Sequence, residues 1–251
     1  MLKNDILKEW ENKKQKGLKS LAILIDPDKA EESHLKSLCK KAKNSLIDYF
    51  FVGGSHLSTN QLDFVISYLK INCEIPVILF PGNTMQVNFK ADGILLLSLI
   101  SGRNAELLIG KQVEVAPLLH NSSLEIISTG YILIESGKSN SVSYISNTTP
   151  IPRDKPEITT STVMAGEMLG LKTMYLEAGS GAIHAVSTKT IKMVSKKTNT
   201  PLIVGGGIRD IETAQKIYAA GADIIVVGTQ IESNDSFIDE LALINKVKSA
   251  I

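Results

Sequence analysis

Eight short apolar runs, each stopped by Gly, Pro, Asp, Glu or Ser, constrain this chain more than any other feature. They fall at residues 21–25, 49–52, 76–80, 93–98, 131–134, 173–176, 201–204 and 222–227, and stretches of helical period separate most of them. Apolar residues are continuous within the runs, so both faces of each strand are buried. That is the property of a parallel sheet covered by helices. Eight such units in 251 residues fit an α/β fold, a (β/α)8 TIM barrel that occupies residues 1–251 as a single domain. A doubly wound open sheet is the runner-up. Its glycine fingerprint belongs after the first strand, where this chain has Asp26-Pro27-Asp28.

Between the strands, Asp28 and Glu31 read as a capping box for a helix carrying Leu35, Leu38, Cys39 and Ala42. Further helices are expected around 105–112, 161–169, 210–220 and 237–247. Residues 139–156 are polar and rich in Ser, Asn, Thr and Pro. They form an elaborated loop between strands five and six, a functional loop or a mobile cover.

Charge and cysteine content exclude several classes. With 27 basic and 26 acidic side chains the net charge is +1, so no basic field exists for nucleic acid. No stretch reaches the roughly 18 consecutive apolar residues of a membrane span, so no integral membrane segment is expected. The amphipathic start, with Leu2, Ile6, Leu7 and Trp10, lacks the apolar core of a signal peptide. Cys39 and Cys73 lie in helical stretches and read as two buried thiols of a cytoplasmic protein.

In a barrel, chemistry sits at the carboxyl ends of the strands. Strands seven and eight end in Gly205-Gly206-Gly207 and Gly228-Thr229, where backbone N–H groups can approach an anion without a Cβ in the way. Phosphate is the natural ligand. Strand six ends in Glu177-Ala178-Gly179-Ser180-Gly181. A carboxylate beside a phosphate site does not bind phosphate; Glu177 reads as the group that accepts a substrate hydroxyl's proton, the alternative being a structural Glu bonded to nearby backbone. Strand one ends in Asp26 and strand two in Ser55, a carboxylate and a hydroxyl suited to a hard cation such as Mg²⁺. His34, His56, His120 and His184 show no ligand spacing, and no serine elbow or Walker loop is present.

Together Ile25-Asp26-Pro27-Asp28-Lys29, Val52-Gly53-Gly54-Ser55, Tyr131-Ile132-Leu133, Tyr175-Leu176-Glu177-Ala178-Gly179-Ser180-Gly181, Val204-Gly205-Gly206-Gly207-Ile208 and Val227-Gly228-Thr229 resemble the geranylgeranylglyceryl phosphate synthases. The resemblance covers nearly the whole chain, and the Tyr-Leu-Glu-Ala-Gly-Ser-Gly run is its most specific piece. It implies transfer of an all-trans prenyl group from its diphosphate to the C3 hydroxyl of sn-glycerol 1-phosphate, forming an ether and releasing diphosphate. By position, it implies Asp26 and Ser55 as Mg²⁺ ligands. It also implies Tyr175, Leu176, Glu177, Ala178, Gly179, Ser180, Gly181, Gly206, Gly207, Gly228 and Thr229 as the glycerol phosphate site; within it Glu177 is the catalytic candidate on the proton-accepting argument above. Leu24 stands where one branch of the family has Lys, so prenyl length does not carry over from that branch. Barrels of this type associate through outer helices, and a homo-oligomer, most simply a dimer, is expected. The competitors are a sugar-phosphate isomerase or epimerase, which needs no long apolar groove, and a non-catalytic barrel that binds a phosphorylated metabolite.

Overall fold

The computed structural model describes residues 5–44, 47–228 and 237–241. Eight parallel strands close into a barrel in chain order: β1 (Ser20–Ile25), β2 (Tyr49–Val52), β3 (Val77–Leu79), β4 (Gly93–Leu99), β5 (Glu125–Leu133), β6 (Thr173–Glu177), β7 (Leu202–Gly205) and β8 (Ile224–Val227). β8 returns to β1 with Leu21 beside Ile225 and Ile23 beside Val227. Alternate residues of each strand go to different cores. Ala22, Tyr49, Phe51, Ile78, Leu95, Tyr175 and Ile203 fill the interior. Leu21, Ile23, Phe50, Val52, Leu176 and Val204 face the helices.

The helices are α1 (Ile6–Gln15), α2 (Glu32–Asn44), α3 (Leu62–Asn72), α4 (Lys111–His120), α5 (Ser141–Ser146), α6 (Pro156–Met168), α7 (Thr188–Ser195) and α8 (Ile211–Ala220). α1 precedes the barrel and closes its amino end. Trp10 and Ile6 enter the interior core, and Trp10 sits edge-on to Tyr49 at 5.6 Å between ring centroids. Glu125, at the start of β5, accepts the N–H groups of Ile6 (2.7 Å) and Leu7 (2.9 Å), capping α1 with a carboxylate. Asp48, Asp92 and Asp223 likewise take backbone N–H groups of Leu21, Val77 and Leu202 at this end. The barrel floor is therefore ordered by acidic side chains, and its upper rim is left to glycines.

Several local expectations need correction. Asp28 does not cap α2. Its two carboxylate oxygens accept N–H and O–H from both Ser58 and Thr59, which pins the loop after β2 and holds the carboxyl well below its usual range. Cys39 on α2 and Cys73 at the end of α3 are joined as a disulfide, with Cα atoms 5.7 Å apart; two separate thiols were expected. β5 begins at Glu125, because Thr129 satisfies itself by bonding the Ile127 carbonyl at 2.9 Å and Gly130 admits the Met174 sulfur. The loop 139–156 contains α5, whose cap is Asn140, and a short bridge of Ile151 to Ile134. No helix follows β3 directly: residues 80–92 run to β4 without one. Beyond β4 a π-helical turn, Glu106–Gly110, leads into α4. Of the last expected helix, residues 237–241 are helical; its remainder and Thr229 lie outside the described residues. Among the described residues no helix is long and apolar enough to cross a membrane.

Candidate active site

A cavity of about 440 Å³ opens at the carboxyl ends of the strands. It touches Asp26 and Ser55 on one side and Glu177, Ser180, Gly181, Gly206, Gly207 and Gly228 on the other. Barrel closure thus brings together residues that lie up to about 200 positions apart in sequence. Leu176 and Ala178 belong instead to the outer core, under the helices. Tyr175 is buried in the barrel interior and borders the cavity from its floor.

Glu177 is 5% exposed. Its Oε1 accepts the Gly179 N–H at 2.5 Å, so it does bond nearby backbone while its carboxylate still borders the cavity. Burial pushes its pKa up to about 7, against the opposing help of the Gly179 N–H and the hydroxyls of Tyr175 and Tyr131. Desolvation, followed by the nearby Glu177 charge, drives both tyrosines far above their ordinary range. Phe80 lies flat on Tyr175 at 5.1 Å and edge-on to Tyr131 at 5.8 Å, completing an aromatic floor.

The glycine loops exist because they lie against each other. A Cβ on Gly206, whose φ is +82°, would sit 2.5 Å from Glu177 Oε1 and 2.6 Å from the Gly179 nitrogen. Gly207 (φ +71°) lies equally close to the Ala185 backbone. Only glycine fits this contact and this backbone conformation. Among the described residues, the N–H groups of Gly181, Gly206 and Gly207 have no hydrogen-bond partner. Three such donors beside one another make an anion-binding surface.

Across the cavity, Asp26 accepts the Asp28 N–H at 3.1 Å and pairs with Lys29 at 3.6 Å. Gly54 passes beside it, its Cβ position 3.6 Å from Asp26 Oδ1. Gln86, 3% exposed, holds this loop. Its Oε1 accepts from Gly54 (3.2 Å) and Gly82 (3.1 Å), and its Nε2 donates to the Gly54 carbonyl (2.8 Å). Among the described residues no three His, Cys, Asp or Glu side chains gather as a metal cluster. One carboxylate and one hydroxyl still suit a hard cation that keeps its waters and takes further oxygens from a diphosphate.

A third part of the cavity is apolar. Leu96 and Leu97 on β4, Leu107 in the π-helical turn and Val115 on α4 line it, with Val142 and Ile145 of α5 over the mouth. The lack of a helix directly after β3 leaves room for this trough. Gln86, Phe80 and Arg209, which borders the cavity just after β7, were missed in the sequence. Nothing in their local pattern separates them from ordinary loop and core residues. Only the turn Pro81-Gly82 beside Phe80 and Gln86 hinted at a strand end.

A parallel barrel with an anion surface on glycine loops, a buried carboxylate beside it and an apolar trough defines a class: barrels that hold a phosphorylated compound together with an apolar one. Within that class the chain belongs to the PcrB family, whose model matches residues 10–248. It is 51% identical over 239 residues, 95% of each chain, to the geranylgeranylglyceryl phosphate synthase of Chitinophaga pinensis. It is 48% identical over 231 residues to that of Spirosoma linguale, covering 92% of this chain and 93% of that one. Among solved structures, the (S)-3-O-geranylgeranylglyceryl phosphate synthase of Thermoplasma acidophilum, in complex with sn-glycerol-1-phosphate, superposes with a TM-score of 0.90. It has 30% identity and covers 98% of this chain and 99% of its own.

Proposed function

We propose that the protein is a prenyltransferase that joins the C3 hydroxyl of sn-glycerol 1-phosphate to an all-trans prenyl diphosphate of about geranylgeranyl length. The observation that carries this activity is the position of Glu177, at the junction of the glycine anion surface with the apolar trough. A sugar-phosphate isomerase would leave the trough without a task.

In this mechanism the glycerol phosphate sits on the N–H groups of Gly181, Gly206 and Gly207, with Glu177, Gly179, Ser180 and Gly228 around it. The prenyl tail lies along Leu96, Leu97, Leu107 and Val115. Holding the glycerol oxygen against the allylic carbon is the positioning contribution. Asp26 and Ser55 would hold Mg²⁺, which when bound supplies positive charge for the departing diphosphate. The carbon–oxygen bond to diphosphate breaks and the diphosphate keeps the electron pair. Phe80 and Tyr131 present aromatic faces to the allylic cation. The C3 oxygen bonds to the allylic carbon, and its proton passes to Glu177. A carboxylate with a pKa of about 7 is a stronger base than an ordinary one and still half ionised at neutrality.

Incubation of the protein with labelled sn-glycerol 1-phosphate and prenyl diphosphates of several lengths, with and without Mg²⁺, tests the activity. An ether-linked product that depends on Mg²⁺ is expected, and no product with any donor would refute it. The same proposal places the enzyme in the cytoplasm as a homo-oligomer, most simply a dimer. The apolar side chains of Val113 and Leu118 on α4, 63% and 48% exposed, offer area to a second copy. Sedimentation as a monomer at micromolar concentration would refute the dimer.

A further inference from the structure

We infer that Arg153 and Arg209 are positioning residues that clamp the loop after β6 in its anion-binding conformation, an inference that rests on the glycerol phosphate reading of that loop. The loop reaches the cavity through Gly179 (φ +97°) and Gly181 (φ +67°). Peptides flanking glycines in this region turn over at little steric cost, and a turned peptide would aim a carbonyl oxygen at a bound phosphate. Two guanidinium groups hold the carbonyls where they are. Arg209 Nη2 donates to the Ala182 carbonyl at 2.5 Å and reaches the Gly181 carbonyl at 3.5 Å. Arg153 Nη1 donates to the Ala185 carbonyl. Ala185 is in turn the residue against which Gly207 lies, so the second clamp bears on the contact between the two glycine loops.

Each arginine comes from a different element. Arg209 follows β7 and borders the cavity. Arg153 lies in the polar 139–156 segment, two residues beyond the bridge between Ile151 and Ile134. This assigns a task to a segment that composition alone left open. Arg153 is outside the cavity lining and can act on a ligand only through the loop. Charge-assisted bonds from a rigid fork suit such a clamp better than a lysine's single point charge. Neither side chain is buried in the core, so their removal leaves the barrel's apolar contacts in place.

Calorimetric titration of the full chain with sn-glycerol 1-phosphate, and separately with inorganic phosphate, tests the clamp in Arg153→Ala and Arg153→Lys. Affinity for both ligands is expected to fall roughly ten- to hundredfold in Arg153→Ala, the scale of one lost charge-assisted hydrogen bond. Arg153→Lys should recover part of it, as should added guanidinium chloride at about 50 mM with Arg153→Ala. With saturating glycerol phosphate, kcat and the KM for prenyl diphosphate should stay within about twofold of wild type. Wild-type affinity in Arg153→Ala overturns the inference. So does a parallel loss for both substrates with a lowered melting temperature. If wild type binds inorganic phosphate but not glycerol phosphate, the substrate assignment fails while the phosphate arm still judges the clamp.

Discussion

Replacing Glu177 by Gln should make the protein more stable and far less active, with a dependence on pH that belongs to this one carboxyl. Its pKa rises from the usual 4.5 to about 7 on folding, so the folded state binds the proton more tightly than the unfolded chain does. Below pH 4.5 the group is neutral in both states and has no effect. Above that, the unfolded state ionises first and stability falls, until the loss levels off past pH 7. A shift of about 2.5 pH units corresponds to at most about 3 kcal/mol. Glutamine removes the charge and keeps an oxygen for the Gly179 N–H. In a chain of this size 1 kcal/mol moves the melting temperature by roughly 2–4 °C, so Glu177→Gln should melt about 6–12 °C higher at pH 8 and alike at pH 4. Turnover should drop about 10²- to 10⁴-fold, the range for loss of a positioned base. Scanning calorimetry at several pH values, with steady-state rates alongside, reads both effects. A gain in stability that does not change with pH, or none at pH 8, would refute the buried-carboxyl argument; unchanged turnover would remove Glu177 from the chemistry.

Three further outcomes follow from the same geometry. Tyr131→Phe removes a hydroxyl that favours the charged form of Glu177, so the midpoint of the pH–rate profile should move up from about 7 by up to about one pH unit; a downward shift would contradict the assignment. Gln86→Leu deletes three hydrogen bonds to the loop of Gly54 and Gly82, which should cost about 2–4 kcal/mol in urea unfolding. It should raise the KM for prenyl diphosphate while glycerol phosphate binding is retained. Glu125→Gln weakens the charged cap of α1 and should cost about 1 kcal/mol by the same measurement, with kinetics unchanged.

Much of the fold was legible because β-strands buried on both faces need unbroken apolar residues. Runs such as Tyr49 to Val52 and Ile224 to Val227 meet that demand. β5 was seen only at its end, since Thr129 satisfies its hydroxyl on its own strand and Gly130 makes way for Met174; both are tertiary solutions with no local signature. The glycine loops were legible for a similar reason: Gly206 has no alternative at its φ and its distance from Glu177. Asp28 was misassigned because a carboxylate three residues before Glu31 satisfies the capping pattern whether or not it turns toward Ser58 and Thr59. Gln86 and Arg209 were invisible, since their partners are backbone groups of distant loops. The Cys39–Cys73 bond depends on how α2 and α3 lie side by side, and spacing in sequence carries no such information.

The seating of Trp10 bears on how this protein is best followed in solution. It is the chain's single tryptophan, 1% exposed, wedged between Tyr49 and Phe51 at the barrel's foot. Its emission is a spectroscopic lock on α1: undocking of that helix carries the indole into water and shifts the emission to the red. Substrates at the opposite end leave it silent, so one optical signal separates opening of the barrel's base from occupancy of its mouth.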